Sequence, residues 1–338
     1  MESETIGSFE RLQALFTPPD ETAAGVPFGN PPGLPTFEEA RVVAFGIRFD
    51  DTATFGKGAE RGPEAMRHVA ARQVETFMVD TRVDFYEAVP LFDLGDLRLK
   101  ETLTKEEQGL LYEGTDGERV RARTKLEHVL RQFDVLREVT RFVRAQGKVP
   151  LMLGGEHTLT YWPLVALADE KPVVLHFDAH RDAKAAYLDV KMCHTTPMRH
   201  ALQDSKLAAK DFVQIGIRQT DLEEQQFAER SGITTFYPRD VKERLPEVLR
   251  WISGKTKNRN VYVTCDIDAL DIPYVPCTGT PEPFGLTPDE VAAIFGAIDG
   301  SAELIGADMM EVAARGEDFR EATTAVQLLL RLLVRLRK

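Results

Sequence analysis

The stretch Val173-Val-Leu-His-Phe-Asp178-Ala-His180-Arg-Asp182 decides how the rest of the chain is read. A buried-type strand of Val, Leu and Phe runs straight into three candidate metal ligands at alternate positions, Asp178, His180 and Asp182. Side chains alternate along an extended backbone, so a strand continued through this stretch points all three to one side. Two carboxylates and an imidazole crowded at a buried strand end are costly without a cation to neutralise them. That cost favours a metal site over a salt-bridged or turn-capping cluster. His176 shares the same face two residues earlier, where a buried supporting role fits better than ligation.

The same pattern recurs on either side. In Leu151-Met-Leu-Gly-Gly-Glu-His157-Thr an apolar strand meets a Gly-Gly turn, a helix starts at Thr158, and His157 is expected to stand above the sheet. In Val261-Tyr-Val-Thr-Cys-Asp266-Ile-Asp268-Ala-Leu-Asp271, Asp266 and Asp268 repeat the alternate spacing at a strand end, while Asp271 reads as a turn residue. Strands are expected at 41–46, 90–94, 149–153, 172–177, 212–217, 233–236, 260–265 and 303–310, mostly continuous apolar runs of the kind buried on both faces. Amphipathic helical patterns separate them, the clearest over 121–146 with Gly147 as its stop, the last over 320–337 ending in bases. Eight strands alternating with helices predict an α/β fold, a single-domain, mostly parallel, doubly wound sheet with its site at the carboxyl ends of the strands.

Residues 1–40 read as a Pro-rich lead-in with six prolines between 18 and 35, and 41–338 as the single domain that carries the site. A second irregular stretch, 101–119, reads as a solvated surface insertion or a loop edging the site. With 54 acidic against 42 basic side chains the net charge is −12, the opposite of what a nucleic-acid surface needs. No apolar run approaches the ~18 residues of a membrane span. The start MESETIGSFERL has no apolar signal core, and three cysteines make no disulfide framework, so a cytoplasmic setting is expected.

Four carboxylates and two imidazoles are too many for one tetrahedral zinc. Mixed carboxylate and imidazole donors suit a pair of harder divalent ions such as Mn²⁺, sharing aspartates and activating a water. The residues alone therefore point to metal-assisted hydrolysis.

The order GGEH, DAHRD, CDIDALD and then Pro276-Cys-Thr-Gly-Thr-Pro-Glu-Pro283 resembles the ureohydrolase family of arginases and agmatinases, from about Ala44 to the C-terminal helix. The resemblance implies an αβα sandwich and two Mn²⁺ per chain, with Ni²⁺ as an alternative. It implies His157, Asp178, Asp182 and Asp266 as ligands of one ion and Asp178, His180, Asp266 and Asp268 of the other. It further implies His194 as a loop proton carrier, Glu311 as the guanidinium-binding carboxylate, and Thr278 and Thr280 as residues shaping the pocket. The reaction would release urea and an amine, and relatives suggest a homotrimer or hexamer. Ala185-Ala-Tyr-Leu188, Lys191, His194 and Met198-Arg199 look most like agmatinases, so agmatine, giving putrescine, is the expected substrate. Guanidinobutyrate, guanidinopropionate, arginine, or a non-catalytic regulatory role on the same fold are the alternatives. Ala185 and Ala186 stand where acids or amides are common, leaving Asp189 or an acid from another loop to meet a distal ammonium. Cys277 and Phe284 replace usual glycines, Phe284 in a place to narrow the pocket. Glu156, an aspartate in many relatives, reads as tolerated variation.

Overall fold

The computed structural model describes residues 6–29, 33–316 and 318–336. Pro31, Pro32 and Arg337, which the sequence reading placed in the lead-in and the last helix, lie outside the described residues. The strands are Phe16–Thr17 (β1), Val42–Gly46 (β2), Phe77–Met78 (β3), Val83–Asp84 (β4), Leu91–Leu97 (β5), Val149–Leu153 (β6), Val173–Phe177 (β7), Phe212–Ile215 (β8), Thr234–Phe236 (β9), Asn260–Asp266 (β10) and Glu303–Met310 (β11). Nine of them make one sheet in the order β1-β5-β2-β6-β11-β10-β7-β8-β9, parallel throughout except for β1. β3 and β4 form a separate antiparallel ribbon.

All eight expected strands are present, and the fold is the predicted α/β sheet between helical layers. β2, β6 and β7 are buried at every position, as near-continuous Val/Leu/Phe runs require. Alternate residues feed two cores. Leu151, Leu153, Leu175 and Phe177 pack under the helices Gly62–Arg72, Pro238–Thr256, Pro288–Ala297 and Arg320–Leu333. Met152, Val174 and Tyr262 pack under Asp116–Arg131, Val135–Ala145, Tyr161–Leu167 and Pro197–Asp204. Among the described residues no helix is long and apolar enough to cross a membrane.

Three features differ from the sequence reading. The ninth strand, β1, comes from the lead-in, where two residues pair antiparallel with Asp96 and Leu97; so short a strand leaves no period to read. Farther along the lead-in, the Phe28 N–H donates to Asp93 at 2.8 Å. β5 also runs on past 94, through Gly95, Asp96 and Leu97. Its buried carboxylates are met by the fully buried Arg67, which donates to Asp93 at 2.7 Å and pairs with Asp96.

The stretch 101–119 is not irregular. Thr104 and Glu107 close a capping box on the helix Lys105–Leu110, and Thr115 and Glu118 do the same for Asp116–Arg131. The long helical pattern after 121 is interrupted by a 3₁₀ turn at Gln132–Asp134, where Gln132 turns its amide to the 100–101 backbone. This segment clasps the loop after β2. The Leu103 N–H and Gln108 Nε2 donate to Asp51 at 2.6 and 2.9 Å, and the Tyr112 hydroxyl donates to the Thr52 carbonyl at 2.8 Å.

Candidate metal centre and active-site cavity

The four strands at the middle of the sheet, β6-β11-β10-β7, bring their carboxyl ends together, and each carries part of the site. After β6 the Gly154-Gly155 turn is forced by crowding: a Cβ on Gly155 would lie 1.9 Å from the Phe49 carbonyl oxygen. The turn delivers His157 as the first residue of a 3₁₀ helix rather than leaving the helix to begin at Thr158. Asp178 follows β7, Asp266 ends β10, and Glu311 follows β11. Asp182 and Glu311 both hold a left-handed backbone, φ 49° and 58°, a region aspartate visits more readily than most residues and in which the surroundings must hold glutamate.

The six expected donors converge. His157 Nδ1 lies 3.0 Å from both Asp178 Oδ2 and Asp182 Oδ2, and 3.4 Å from Asp266 Oδ2. His180 Nδ1 lies 3.0 Å from Asp268 Oδ2 and 3.5 Å from Asp178 Oδ1. Asp178 thus sits between the two groups. The Asp268 N–H donates to Asp266 Oδ1 at 2.8 Å, and Asp268 Oδ1 accepts the Ala179 N–H at 2.9 Å, fixing both carboxylates. His157 Nε2 is 2.8 Å from Thr264 Oγ1, which orients the ring. His157 Nδ1 is buried and faces three carboxylates, yet has no hydrogen-bond partner among the described residues. A nitrogen lone pair and carboxylate oxygens aimed at one point are a donor set for a divalent cation, so the residues fit the expected metals. His176 is fully buried, with Nε2 2.8 Å from Asp178 Oδ2 and Nδ1 3.2 Å from Gln214.

The electrostatics carry the same message. Asp182 is pushed up to about 7, by burial first and the Asp178 charge next. Burial, then Asp268 and Asp178, raise Asp266 well above the usual carboxylate range. Burial also opposes ionisation of Asp178, but three imidazoles overcome it and hold the group well below that range. His157 and His180 are held well above the ordinary imidazole value, because the facing carboxylates outweigh burial. Burial and then Glu156 raise Glu311 well above its ordinary value. A divalent cation neutralises this same crowd of charges.

Above the cluster opens a cavity of about 360 Å³, lined by His180, Asp182, Asp266, Glu311, His194 and Thr280 together with Thr54, Lys184, Tyr187, Thr195, Gln219, Thr220, Asp221 and Glu224. Glu311 Oε1 accepts the His157 N–H at 2.8 Å, and Gly279 beside Oε2 has no side chain to obstruct it. His194 is half-buried, and burial, reinforced by His180 and Lys57, lowers it to about 3, so its resting ring is neutral. Thr280 Oγ1 is 3.3 Å from Asp268 Oδ2. Thr278, expected beside it in the pocket, is fully buried and donates instead to the Glu311 carbonyl at 3.0 Å. Phe284 is 78% exposed and does not line the cavity. Asp189 turns away to Arg123, 3.3 Å distant.

The acids at the outer wall come from the start of the helix Leu222–Ser231, with Asp221 as its cap and Glu224 in its first turn. Asp221 and Glu224 flank Lys184, which pairs with Asp221 and lies 2.9 Å from Glu224. Sequence reasoning missed this trio, and it missed Glu156, which is fully buried and gathers Thr52 and Thr158. The one local signal for Asp221 is helix capping, since it accepts the Glu224 N–H at 2.9 Å.

The arginase family profile matches residues 40–334. The chain is 32% identical over 284 residues to an agmatinase of Bacillus anthracis, covering 82% of this chain and 86% of that protein. It is 38% identical over 186 residues to the human protein named guanidino acid hydrolase, mitochondrial, about half of each chain (52% and 51%). The crystal structure of agmatine ureohydrolase of Thermoplasma volcanium superposes with a TM-score of 0.72 at 26% identity, covering 89% of this chain and 91% of that one.

Proposed function

From the premise that this chain belongs to the arginase family of ureohydrolases, we propose that it hydrolyses agmatine to putrescine and urea with a pair of Mn²⁺ ions. The observation that carries the reading is the convergence of six donors from three strand ends at a cavity that His180, Asp182, Asp266 and Glu311 line. His157, Asp178, Asp182 and Asp266 would hold one ion, and Asp178, His180, Asp266 and Asp268 the other. Bound there, the ions supply Lewis-acid polarisation and bring the pKa of water towards neutrality.

The side chains do the rest. Glu311 accepts the N–H groups of the planar guanidinium and turns its central carbon towards the cluster. Held in that orientation, the substrate meets the nucleophile without the entropy cost of a bimolecular encounter. His194 carries a proton from the attacking water to the departing nitrogen. Thr278 holds the Glu311 backbone from below. At the outer wall two carboxylates face one ammonium, Asp221 and Glu224 against Lys184, which suits a substrate with a cationic far end.

A second reading, a guanidino acid, is favoured by Lys184 in the same wall and by the similarity to the human guanidino acid hydrolase. A urea-release screen of agmatine, arginine, guanidinobutyrate and guanidinopropionate, with Mn²⁺ and with Ni²⁺, separates the two. Agmatine preferred at least tenfold supports the first; preference for either acid replaces it. Urea from none of them would point to a non-catalytic role. The three cysteines are free and buried, which supports a cytoplasmic setting. Assembly as a homotrimer or hexamer would be read from the mass in solution.

A further inference from the structure

We propose that Glu156 and Thr52 are positioning residues that fix His194 as the Nδ1–H tautomer, so that its Nε2 enters the reaction as a proton acceptor. The inference rests on the reading of His194 as the proton carrier. Three donors converge on the buried Glu156: the Thr52 N–H at 2.7 Å, the Thr52 hydroxyl at 2.5 Å and the Thr158 hydroxyl at 2.5 Å. Burial raises the Glu156 pKa to about 7; the Thr52 N–H is a fixed donor to Oε2, and in the ionised carboxylate Oε1 is the acceptor that both hydroxyls meet at 2.5 Å.

The single hydroxyl proton of Thr52 is therefore directed at Glu156. Only lone pairs of Thr52 Oγ1 remain for His194, whose backbone N–H donates to it at 3.0 Å and whose Nδ1 lies 3.4 Å away. An oxygen with no proton to offer can pair with Nδ1 only if Nδ1 carries the hydrogen. Nε2 is then the bare nitrogen. Its neighbour at 3.3 Å is the hydroxyl of Thr54, which also lines the cavity and has a proton to give. The loop holding Thr52 is itself clasped by Tyr112 on its carbonyl and by Leu103 and Gln108 on Asp51, so the seat is rigid.

The order of proton movement follows. The O–H bond of the attacking water breaks as Nε2–H forms, making His194 an imidazolium. Nε2–H then breaks as a new N–H bond forms on the departing nitrogen, and the ring returns neutral. No proton is gained or lost over the cycle.

Two measurements test this on the full-length chain. In protein carrying ¹⁵N-labelled histidine and charged with diamagnetic Mg²⁺, the His194 ring, assigned by its loss in His194→Ala, is expected as Nδ1–H; an Nε2–H ring overturns the proposal whatever the activity. In urea release with Mn²⁺, Thr52→Val is expected to lower kcat about 10- to 100-fold with little change in KM, and Thr52→Ser to restore it to within about threefold. In the His194→Ala background Thr52→Val should have no further effect, because the seat acts only through that ring. An undiminished effect there would overturn the proposal. Full activity of His194→Ala would instead overturn the proton-carrier reading, and the NMR result would still decide the tautomer.

Discussion

Replacing Glu311 by glutamine should separate binding from stability, because the structure assigns different work to its two oxygens. Oε1 accepts the His157 N–H at 2.8 Å, which the glutamine carbonyl oxygen can also do. Oε2, beside Gly279, is the atom left for the guanidinium. In Glu311→Gln an NH₂ group takes that place and faces the substrate's own N–H groups. Losing one partner of a buried, hydrogen-bonded charge pair costs about 3–5 kcal/mol, and each 1.4 kcal/mol is about a tenfold change. The kcat/KM for urea release should therefore fall by about 10²- to 10⁴-fold.

Stability should move the other way, or not at all. Burial and Glu156 raise the Glu311 pKa above its unfolded value, so ionising it costs the folded protein more than it costs the unfolded chain. Such a group weakens the fold as pH rises above the unfolded pKa, and the amide removes that penalty at neutral pH. The assay pairs urea-release kinetics with a thermal melt and elemental analysis of the Mn-loaded enzyme. Metal content at the wild-type level, an unchanged or higher Tm and a collapsed kcat/KM are the expected set. A kcat/KM within threefold of wild type would refute the assigned role of Glu311, and a marked drop in Tm would refute the division of labour between its oxygens.

Asp178→Ala removes the carboxylate that lies between the His157 and His180 groups; metal retention and urea release should be lost together, and near-normal turnover would count against the site. Arg67→Leu strands Asp93 and Asp96 in the core without their cation, which should cost about 3–5 kcal/mol in urea-induced unfolding; a change under 1 kcal/mol would show that the two acids find other partners. Burial raises Asp51 from 3.8 to about 6, so its penalty is absent below pH 4 and complete above pH 6, amounting to about 3 kcal/mol at ~1.36 kcal/mol per pH unit. Asp51→Asn should accordingly gain that much stability relative to wild type between pH 4 and 7, and a flat difference across this range would exclude the shift.

What could be read from the sequence was local and periodic. Asp178, His180 and Asp182, or Asp266 and Asp268, are spaced by two along strands that announce themselves by composition, and parallel topology places their ends together. The Gly154-Gly155 turn gave His157 in the same way. The outer wall was not legible, because Lys184 meets Asp221 and Glu224 across 37 and 40 residues, a distance at which neither helix nor strand period carries information. Glu156 reaches Thr52 across 104 residues, so a buried anchor passed for an ordinary variant. β5 was cut short because Asp93, Gly95 and Asp96 break an apolar pattern that only the buried Arg67 makes tolerable. The capping boxes at Thr104 and Thr115 were visible in the sequence, yet the glycines and dense charge of 101–119 concealed the helices they start.

Asp182 and Glu311 each carry a left-handed backbone angle, which glycine takes at almost no cost, asparagine and aspartate at less than most, and glutamate at about 1–2 kcal/mol. A population of variants enriched only for heat resistance would thus drift towards glycine or asparagine at these two places, and would shed its chemistry while growing hardier. Against such drift, the persistence of two carboxylic acids at left-handed positions would be a mark of selection for turnover, readable even where the reaction itself has not been assayed.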